Sequence, residues 1–316
     1  MTNKEPRIVN YQIPSEAAIF ELQSCIEAME KNAQLRKEKN FDERNAVIDF
    51  LEFQVIGRIE ELLRVTAQPS KLGLLKYRAE KVKSALEEID SNLFETLRAN
   101  IRTGTYTGAE FKNLVSEYVG VNTGDREHPG EPGYDNLDLF INGLFSVQAM
   151  PEQTKDLEPE MVYYQKTPAR IVFELAEEAH FSKEDVFVDI GAGLGQAAIL
   201  VNLLTGIAAK GIEFEPAFCA YARDCASGLD LSKVAFIHAD AREADYSEGT
   251  VFFMFTPFRG EMLREVLGML WKESLKRKIK VITYGPCTAE VALQSWLHCA
   301  TPQDDNMYKL AVFSSL

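Results

Sequence analysis

Residues 186–196 read VFVDIGAGLGQ, in which a short apolar run meets an acid and then three alternate glycines. The apolar residues are typical of a strand that is buried on both faces of a parallel sheet. Gly191, Gly193 and Gly195 have no Cβ, so the chain can turn sharply and a ligand can approach the backbone closely. Residues 196–204 continue with a helical pattern. Because ligands of open α/β sheets bind at such strand-to-helix turns, this stretch predicts a binding site.

The residues beside these glycines distinguish between cofactor classes. A dinucleotide fingerprint needs its third glycine at position 196, where this chain has Gln196. A phosphate-binding loop ends in Gly-Lys-Ser or Gly-Lys-Thr, and the sequence contains neither. Asp189 would repel a pyrophosphate, whereas it would attract the ammonium group of a methionine moiety. The pattern therefore predicts S-adenosylmethionine as the cofactor.

A second acid follows the next predicted strand. Residues 208–214 predict that strand, and Glu213 near its end lies about twenty residues beyond the glycines, as a carboxylate that accepts the ribose hydroxyls should. Glu215 is an alternative ribose partner, but Pro216 indicates that Glu215 already begins the next helix. We therefore favour Glu213.

A third acid, Asp240, ends the predicted strand 234–240 and would accept a hydrogen bond from the adenine amino group. An acid followed by glycines can also be no more than a tight connection. Three acids at the ends of successive strands favour a cofactor site.

The C-terminal half, about residues 162–316, resembles the class I S-adenosylmethionine-dependent methyltransferases. That resemblance implies an α/β, Rossmann-like, doubly wound sheet of seven strands, mostly parallel with one antiparallel strand. The loop Tyr164-Gln165-Lys166-Thr167, residues 187–196 and Gly211-Ile212-Glu213 resemble more closely the non-SET lysine methyltransferases of the disruptor-of-telomeric-silencing type. In that family the Tyr-x-x-Thr loop covers the methionine end of the cofactor. The residues predicted to bind the cofactor are Asp189, Gly191, Ala192, Gly193, Gly195, Gln196, Glu213, Phe214, Asp240, Ala241, Tyr164 and Thr167.

The acceptor is expected after the fourth strand, where the closer family has asparagines and this chain reads Phe-Thr-Pro-Phe at 255–258. The acceptor-site candidates are Thr256, Pro257, Phe258 and Tyr164, although the first three could also form only a buried turn under the cofactor. Methyltransferases of amide or adenine nitrogen carry Asn or Asp, two prolines and an aromatic residue there. Only Pro257 and Phe258 match that pattern, so we rank those acceptors below a protein side chain, lysine included, or a small molecule. A protein that binds the cofactor as a sensor or scaffold, without turnover, is the alternative.

Composition limits the other classes of function. The chain of 316 residues has 46% hydrophobic residues and a net charge of −14, so it can form two cores, and nucleic acid is a poor partner for its acidic surface. No apolar run reaches the length of about 20 residues that spans a membrane, and no signal-peptide core is present, so a cytoplasmic protein is expected. The cysteines and histidines are scattered, which predicts no metal site.

The pattern along the chain predicts an all-α N-terminal domain, residues 1–120, followed by an acidic linker, 121–165, and the methyltransferase domain, 166–316. The helical domain is predicted as an antiparallel bundle through which the protein could oligomerise. Its predicted helices are 14–35, 42–65, 70–101 and 107–118. Residues 136–167 are predicted either to cover the cofactor as a lid or to pack between the domains. Thr167 and Pro168 predict the N-cap and first residue of a helix over 168–178.

Overall fold

The structure is a computed structural model that describes residues 16–64, 69–120, 133–145, 149–300 and 306–316. The chain divides into two compact units, Met1–Glu95 and Thr96–Leu316. Helix α4 runs across that division, and the domain limits at residues 120 and 165 remain a prediction. The elements before and across the division are α1 (Glu16–Lys31), a 3₁₀ turn (Ala33–Arg36), α2 (Phe41–Asp49), a π-helical segment (Phe50–Ile56), α3 (Gly57–Leu63) and α4 (Pro69–Arg102).

The described residues of the first unit are helical, as predicted. Ion pairs fix the directions of the helices: Glu52 and Glu60 contact Lys83 and Lys76, so the stretch from α2 to α3 runs antiparallel to α4. The core consists of buried aliphatic side chains from α1, the 3₁₀ turn, the π-helical segment, α3 and α4, and Val47 and Ile48 of α2 pack against it. The predicted stripe of residues 47, 51, 55 and 59 therefore faces the core, although its middle is wound as a π-helix.

Arg44 is the one guanidinium that is fully buried among the described residues of this unit. Its Nε donates to Oδ1 of Asp90 at 2.7 Å, and its other nitrogens donate to the carbonyls of Leu35, Lys37 and Glu38. Burial raises the pKa of Asp90, although Arg44 acts to lower it. Such a pair holds the turn before α2 in one arrangement, because a buried guanidinium without its acceptors would be costly.

The second unit is an α/β sheet domain. Its helices are the end of α4, α5 (Ala109–Tyr118), α6 (Asn136–Phe145), α7 (Ala169–Glu178), α8 (Gln196–Thr205), α9 (Pro216–Gly228), α10 (Gly260–Ser274) and α11 (Thr288–Ala292). Its strands are β1 (Val186–Ile190), β2 (Ala208–Glu213), β3 (Val234–His238), β4 (Val251–Met254), β5 (Lys280–Thr283), β6 (Leu297–Cys299) and β7 (Ala311–Ser315). The sequence from Pro302 to Asn306 also predicts a turn, which lies almost entirely outside the described residues.

The described residues form a seven-stranded sheet in the order β3-β2-β1-β4-β5-β7-β6. Strand β7 is antiparallel to β5 and β6, and the other neighbours are parallel. This is the predicted fold, a doubly wound sheet with one antiparallel strand. The central strands β1 and β4 are the most deeply buried because helices cover both faces, and their apolar runs follow from that burial.

The order of the strands in the sheet changes direction at β1. Strand β2 lies on one side of β1, and β4 lies on the other. Such a switch point opens a crevice at the carboxyl ends of the strands. Strand β3 forms one edge of the sheet, where Nε and Nη2 of Arg223 donate to the carbonyl of Phe236 at 3.0 and 2.8 Å. No helix in the described part of the chain is long and apolar enough to cross a membrane.

Candidate functional site

A cavity of about 200 Å³ lies at the carboxyl ends of β1 to β4, in the second unit. Nine of the predicted residues line it: Tyr164, Gly191, Glu213, Phe214, Asp240, Ala241, Thr256, Pro257 and Phe258. The other predicted residues, which do not line it, are Asp189, Ala192, Gly193, Gly195, Gln196 and Thr167. The structure thus brings nine of the fifteen predicted residues to one cavity, and outside its lining the N–H of Gly193 donates to Glu213.

Asp189 lies within β1 and is only 4% exposed. Its carboxyl group has no hydrogen-bond partner among the described residues. Burial, together with the nearby charge of Glu213, raises the pKa of Asp189 to about 8. A buried carboxyl group without a partner fits a ligand cation, because an ammonium group would supply both the missing hydrogen bonds and the opposite charge.

Glu213 is the last residue of β2 and borders the cavity. Its Oε2 accepts from the backbone N–H of Gly193 at 2.6 Å, and its Oε1 accepts from the N–H of Glu215 at 2.7 Å. Burial raises the pKa of Glu213 more than these hydrogen bonds lower it. The carboxylate is thus fixed in direction and keeps lone pairs for a ligand, as a partner of two adjacent hydroxyls needs.

Glu215 lies at the start of α9, where the sequence predicts it. It is the N-cap of that helix, its carboxylate accepts from the N–H of Ala217, and Pro216 follows at the first helical position. Further hydrogen bonds to Glu215 come from Thr154 and Lys155, so its oxygens are already occupied. Glu213 therefore fits a ribose better than Glu215 does.

The glycines of the β1–α8 turn make room for the protein's own side chains. Each has a positive φ, and a Cβ at Gly191 would lie 2.4 Å from Cβ of Pro257, while one at Gly193 would lie 2.0 Å from Cε2 of Tyr164. A Cβ at Gly195 would lie 2.5 Å from Cζ of Phe236. The sequence predicts that a ligand uses this space, whereas in the structure Pro257, Tyr164 and Phe236 occupy it.

The Tyr164 loop is held between the glycine turn and two helices. The ring of Tyr164 packs against Phe218 at 5.3 Å, and burial raises the pKa of its hydroxyl well above the usual range. Nε2 of Gln196 donates to the carbonyl of Thr167 at 2.7 Å, while Oε1 of Gln196 is buried without a partner among the described residues. Gln196 thus couples α8 to the loop that contains Tyr164.

The predicted N-cap at Thr167 is wrong. The N-cap of α7 is Pro168, and it makes no side-chain hydrogen bond. The N–H of Ala169 donates instead to Oδ1 of Asp138 in α6, at 2.8 Å. A buried carboxylate from a neighbouring helix has replaced the local cap, which local sequence rules do not detect.

Asp240 lies two residues beyond the end of β3, and not within the strand as predicted. Its Oδ1 accepts from the backbone N–H and Nε of Arg242, and its Oδ2 accepts from Nη2 of Arg242 at 2.6 Å. Hydrogen bonding to Arg242 lowers the pKa of Asp240. The acid borders the cavity as a charged group that is largely occupied by its own neighbour.

Residues 153–162, which we call the strap, form a wall of the cavity that no motif marked. Gln153, Leu157, Met161 and Val162 line the cavity. The N–H of Val162 donates to the carbonyl of Pro257 at 3.0 Å, and Met161 forms an antiparallel bridge with Phe258. The only sequence signal was that these residues lie within the predicted lid.

The strap also contacts the start of α10 and the loop after β3. The carboxylate of Glu160 accepts from the N–H groups of Glu261 and Met262, and Glu158 forms an ion pair with Arg242 at 2.8 Å. The strap thus contacts the chain that follows each of three strands, β2, β3 and β4.

The turn after β4 is strained at Thr256, which has φ +43°. Its Oγ1 accepts from the N–H of Cys287 at 3.1 Å and lies 3.3 Å from the carbonyl of Tyr284. The hydroxyl is therefore engaged with the chain after β5. This side of the cavity presents mainly aromatic and apolar surface, because Phe255, Pro286 and Tyr308 also line it. The sequence analysis did not identify these three residues, nor the lining residue Phe218 of α9.

A family model described as "Histone methylation protein DOT1" matches residues 146–284, which is just under half of the chain. The match includes the strap, the Tyr164 loop, the glycine turn and β1 to β5. Together with the strand order of the sheet, it decides the class of the domain. The chain carries a class I S-adenosylmethionine-dependent methyltransferase domain. S-Adenosylmethionine is its cofactor, and the unpartnered acid Asp189 beside Glu213 is consistent with that ligand.

Solved structures resemble part of the chain. An RNA methyltransferase from Salinibacter ruber, in complex with S-adenosyl-L-homocysteine, is 23% identical; the match covers 48% of this chain and 92% of the other, with a TM-score of 0.40. A precorrin-6y C5,15-methyltransferase from Geobacter metallireducens is 16% identical over 49% of this chain and 92% of the other, with a TM-score of 0.37. The acceptors named are those of the other proteins. No curated protein matches the chain.

Proposed function

We propose that this methyltransferase domain transfers a methyl group from S-adenosylmethionine to an amine of a protein side chain, that of lysine. The observation that carries the proposal is the lining of the cavity around the turn after β4. Val162, Tyr163, Phe255, Pro286 and Tyr308 border it there. The acids that line the cavity are Glu213 at the end of β2, Glu215 after β2 and Asp240 after β3.

Such a lining suits an alkyl amine better than a hydroxyl or an amide. The four-carbon stem of a lysine packs against aromatic faces, which also attract its ammonium form. A neutral amine is nucleophilic without further activation, whereas an alcohol needs a general base and an amide needs polar groups that polarise it. The description of the matched family, which names histone methylation, supports a protein acceptor.

The residues of the chain have distinct parts in this proposal. Asp189 binds the ammonium group of the cofactor, Glu213 binds the ribose hydroxyls, and Asp240 lies toward the adenine. Bound S-adenosylmethionine supplies a methyl group that is already activated by a positive sulfur. Tyr164 and the strap exclude water, and Thr256, Pro257 and Phe258 align the amine, whose proton is lost to solvent before attack.

The test is methyl transfer from S-[methyl-³H]adenosylmethionine to core histones and to a whole-cell extract. We expect label in protein that is released by acid hydrolysis as methyl-lysine. Asp189→Asn is the matched control and should transfer no label above background. Label that resists protease and yields to ribonuclease would overturn the lysine assignment. So would label that acid hydrolysis releases as methanol, from a methyl ester, or as methylamine, from methylglutamine. If S-adenosylhomocysteine binds but no acceptor is methylated, the protein would be a cofactor-binding scaffold without turnover.

A further inference from the structure

Glu215 has a function in the structure beyond capping α9. Its side chain is nearly fully buried, at 3% exposure, at the base of the cavity. Oε1 accepts from Oγ1 of Thr154 at 2.6 Å and from the N–H of Ala217 at 3.0 Å. Oε2 accepts from the N–H groups of Thr154 and Lys155 at 2.9 and 2.8 Å. Burial alone would raise the pKa of Glu215, but these hydrogen bonds outweigh it and lower the pKa to about 2.

The two residues that Glu215 binds lie between two cavity-lining residues of the strap. Gln153 precedes them, and Leu157 follows shortly after. The ammonium of Lys155 lies 4.1 Å from the centre of the Phe214 ring, which also lines the cavity. Holding Thr154 and Lys155 in place therefore fixes both the strap and one face of Phe214.

The two ends of the strap are attached differently. Residues 158–162 have several attachments, through Arg242, the turn after β4 and the start of α10. Among the described contacts of residues 153–157, the hydrogen bonds to the sheet domain end on Glu215, except for a 3.4 Å contact of Lys155 with His238. The first half of the strap thus depends on one carboxylate.

We propose that Glu215 is a positioning residue for the cofactor, because it holds the first half of the strap closed against the part of the cavity that follows β2 and β3. The inference rests on the proposed cofactor site. If the strap opens, the binding-competent fraction of molecules falls, and the apparent affinity falls by the same factor. The cofactor affinity then depends partly on Glu215, whose carboxylate oxygens bind the strap.

The decisive variant is Glu215→Asp. Aspartate is a good N-cap, so α9 keeps its cap, but the side chain is shorter by about 1.5 Å and no longer reaches the strap. Thr154→Val removes one of the same hydrogen bonds from the opposite side, should the first variant fold poorly. Glu152→Gln is the matched control, because it removes an exposed carboxylate next to the strap that has no partner in the described structure.

Two readouts are combined: calorimetric binding of S-adenosylhomocysteine, and the rate of tryptic cleavage after Lys155. We expect Glu215→Asp to weaken binding about tenfold or more and to accelerate cleavage at Lys155, with saturating S-adenosylhomocysteine restoring protection. Thr154→Val should also weaken binding and accelerate cleavage, each by a smaller factor. Glu152→Gln should match the wild type in both measurements.

The outcomes separate the two proposals. If the wild-type protein does not bind S-adenosylhomocysteine, the cofactor site itself is wrong. If the wild type binds and folded Glu215→Asp binds equally well, the positioning inference is wrong while the proposed function stands. Weakened binding with unchanged cleavage at Lys155 also overturns it, since the strap would then not have opened.

Discussion

At the scale of the residue, Asp189 combines burial, a missing partner and a nearby like charge. Each of these disfavours the ionised carboxylate, so the side chain holds its proton near neutral pH in the absence of a ligand. An ammonium ligand reverses the balance, and binding then releases the proton. The residue is therefore placed to be sensitive both to pH and to the cofactor.

Asp189 should make the ligand-free protein less stable as the pH rises. Its pKa is about 8 in the folded protein, against the ordinary aspartate value of 3.8 that applies to the unfolded chain. The unfolded chain loses this proton at lower pH than the folded one, so the stability contribution is complete below the lower value and is lost as the pH rises through the higher one. Thermal unfolding from pH 5 to pH 9 should show this slope in the wild type and a flatter one in Asp189→Asn. Equal slopes would contradict the prediction.

The same variant should lose cofactor affinity. Removing one partner of a buried charge pair typically costs about 2–5 kcal/mol of binding free energy, which is the loss we expect for S-adenosylhomocysteine with Asp189→Asn. Calorimetry at pH 7 in two buffers of different ionisation enthalpy should also show proton release for the wild type alone. Retained affinity in the folded variant would remove Asp189 from the site.

Gly193→Ala tests whether the close contact between the glycine turn and Tyr164 matters for the site. The cost of a positive φ is measured separately in Gly206→Ala, which has no such contact. Gly193→Ala places a Cβ at 2.0 Å from the Tyr164 ring at φ +52°, whereas Gly206→Ala meets nothing within 4 Å at φ +73°. In both variants the left-handed backbone costs about 1 kcal/mol or more. We expect Gly193→Ala to lower the melting temperature further and to weaken S-adenosylhomocysteine binding. Equal effects of the two variants would mean that Tyr164 moves aside without cost.

At the scale of the element, the sequence correctly predicted the features that depend on residues close together in the chain. The apolar run of β1, the glycine turn and the start of α9 at Glu215 depend on neighbouring residues, and each was placed correctly. The strap was not predicted in detail, because residues 153–162 form no helix or strand and take their position from distant groups such as Glu215 and Pro257. Distance along the chain also explains the wrong N-cap at Thr167. The N–H of Ala169 donates to Asp138, which is 31 residues away in the sequence.

The cap that α6 provides for α7 should be measurable. Asp138 is 4% exposed and accepts from the N–H of Ala169, which is fully buried, so Asp138→Ala leaves a buried donor without a partner. We expect a loss of about 1–3 kcal/mol in the free energy of unfolding. Asp138→Asn keeps an acceptor oxygen of similar size and should retain most of that stability. Chemical denaturation of both variants gives the comparison, and an equal loss would argue against the hydrogen bond as the cause.

At the scale of the whole molecule, charge bears on the acceptor. The net charge is −14, and residues 121–160 contribute nine acids against two basic residues, or −7. A polyanion such as RNA is repelled by a protein of this net charge, whereas a basic protein is attracted to it. The charge says nothing about the chemistry of transfer, which the cavity determines, but it favours the kind of macromolecule that the proposed function requires.

Salt should therefore act on acceptor binding. Raising the ionic strength from about 50 to about 300 mM screens exposed charges, so the KM for core histones should rise severalfold while kcat changes less. S-Adenosylhomocysteine affinity is the internal control, because its contacts are enclosed in the cavity and are screened less. A KM that does not depend on salt would mean that the negative charge of the protein is not used to bind the acceptor.

The edge strand β3 bears on how the protein associates at high concentration. The guanidinium of Arg223 already occupies the carbonyl of Phe236 there. Open strand margins recruit strands from other molecules and so start aggregation. With this carbonyl taken, one pairing position on β3 is closed to a strand from another molecule.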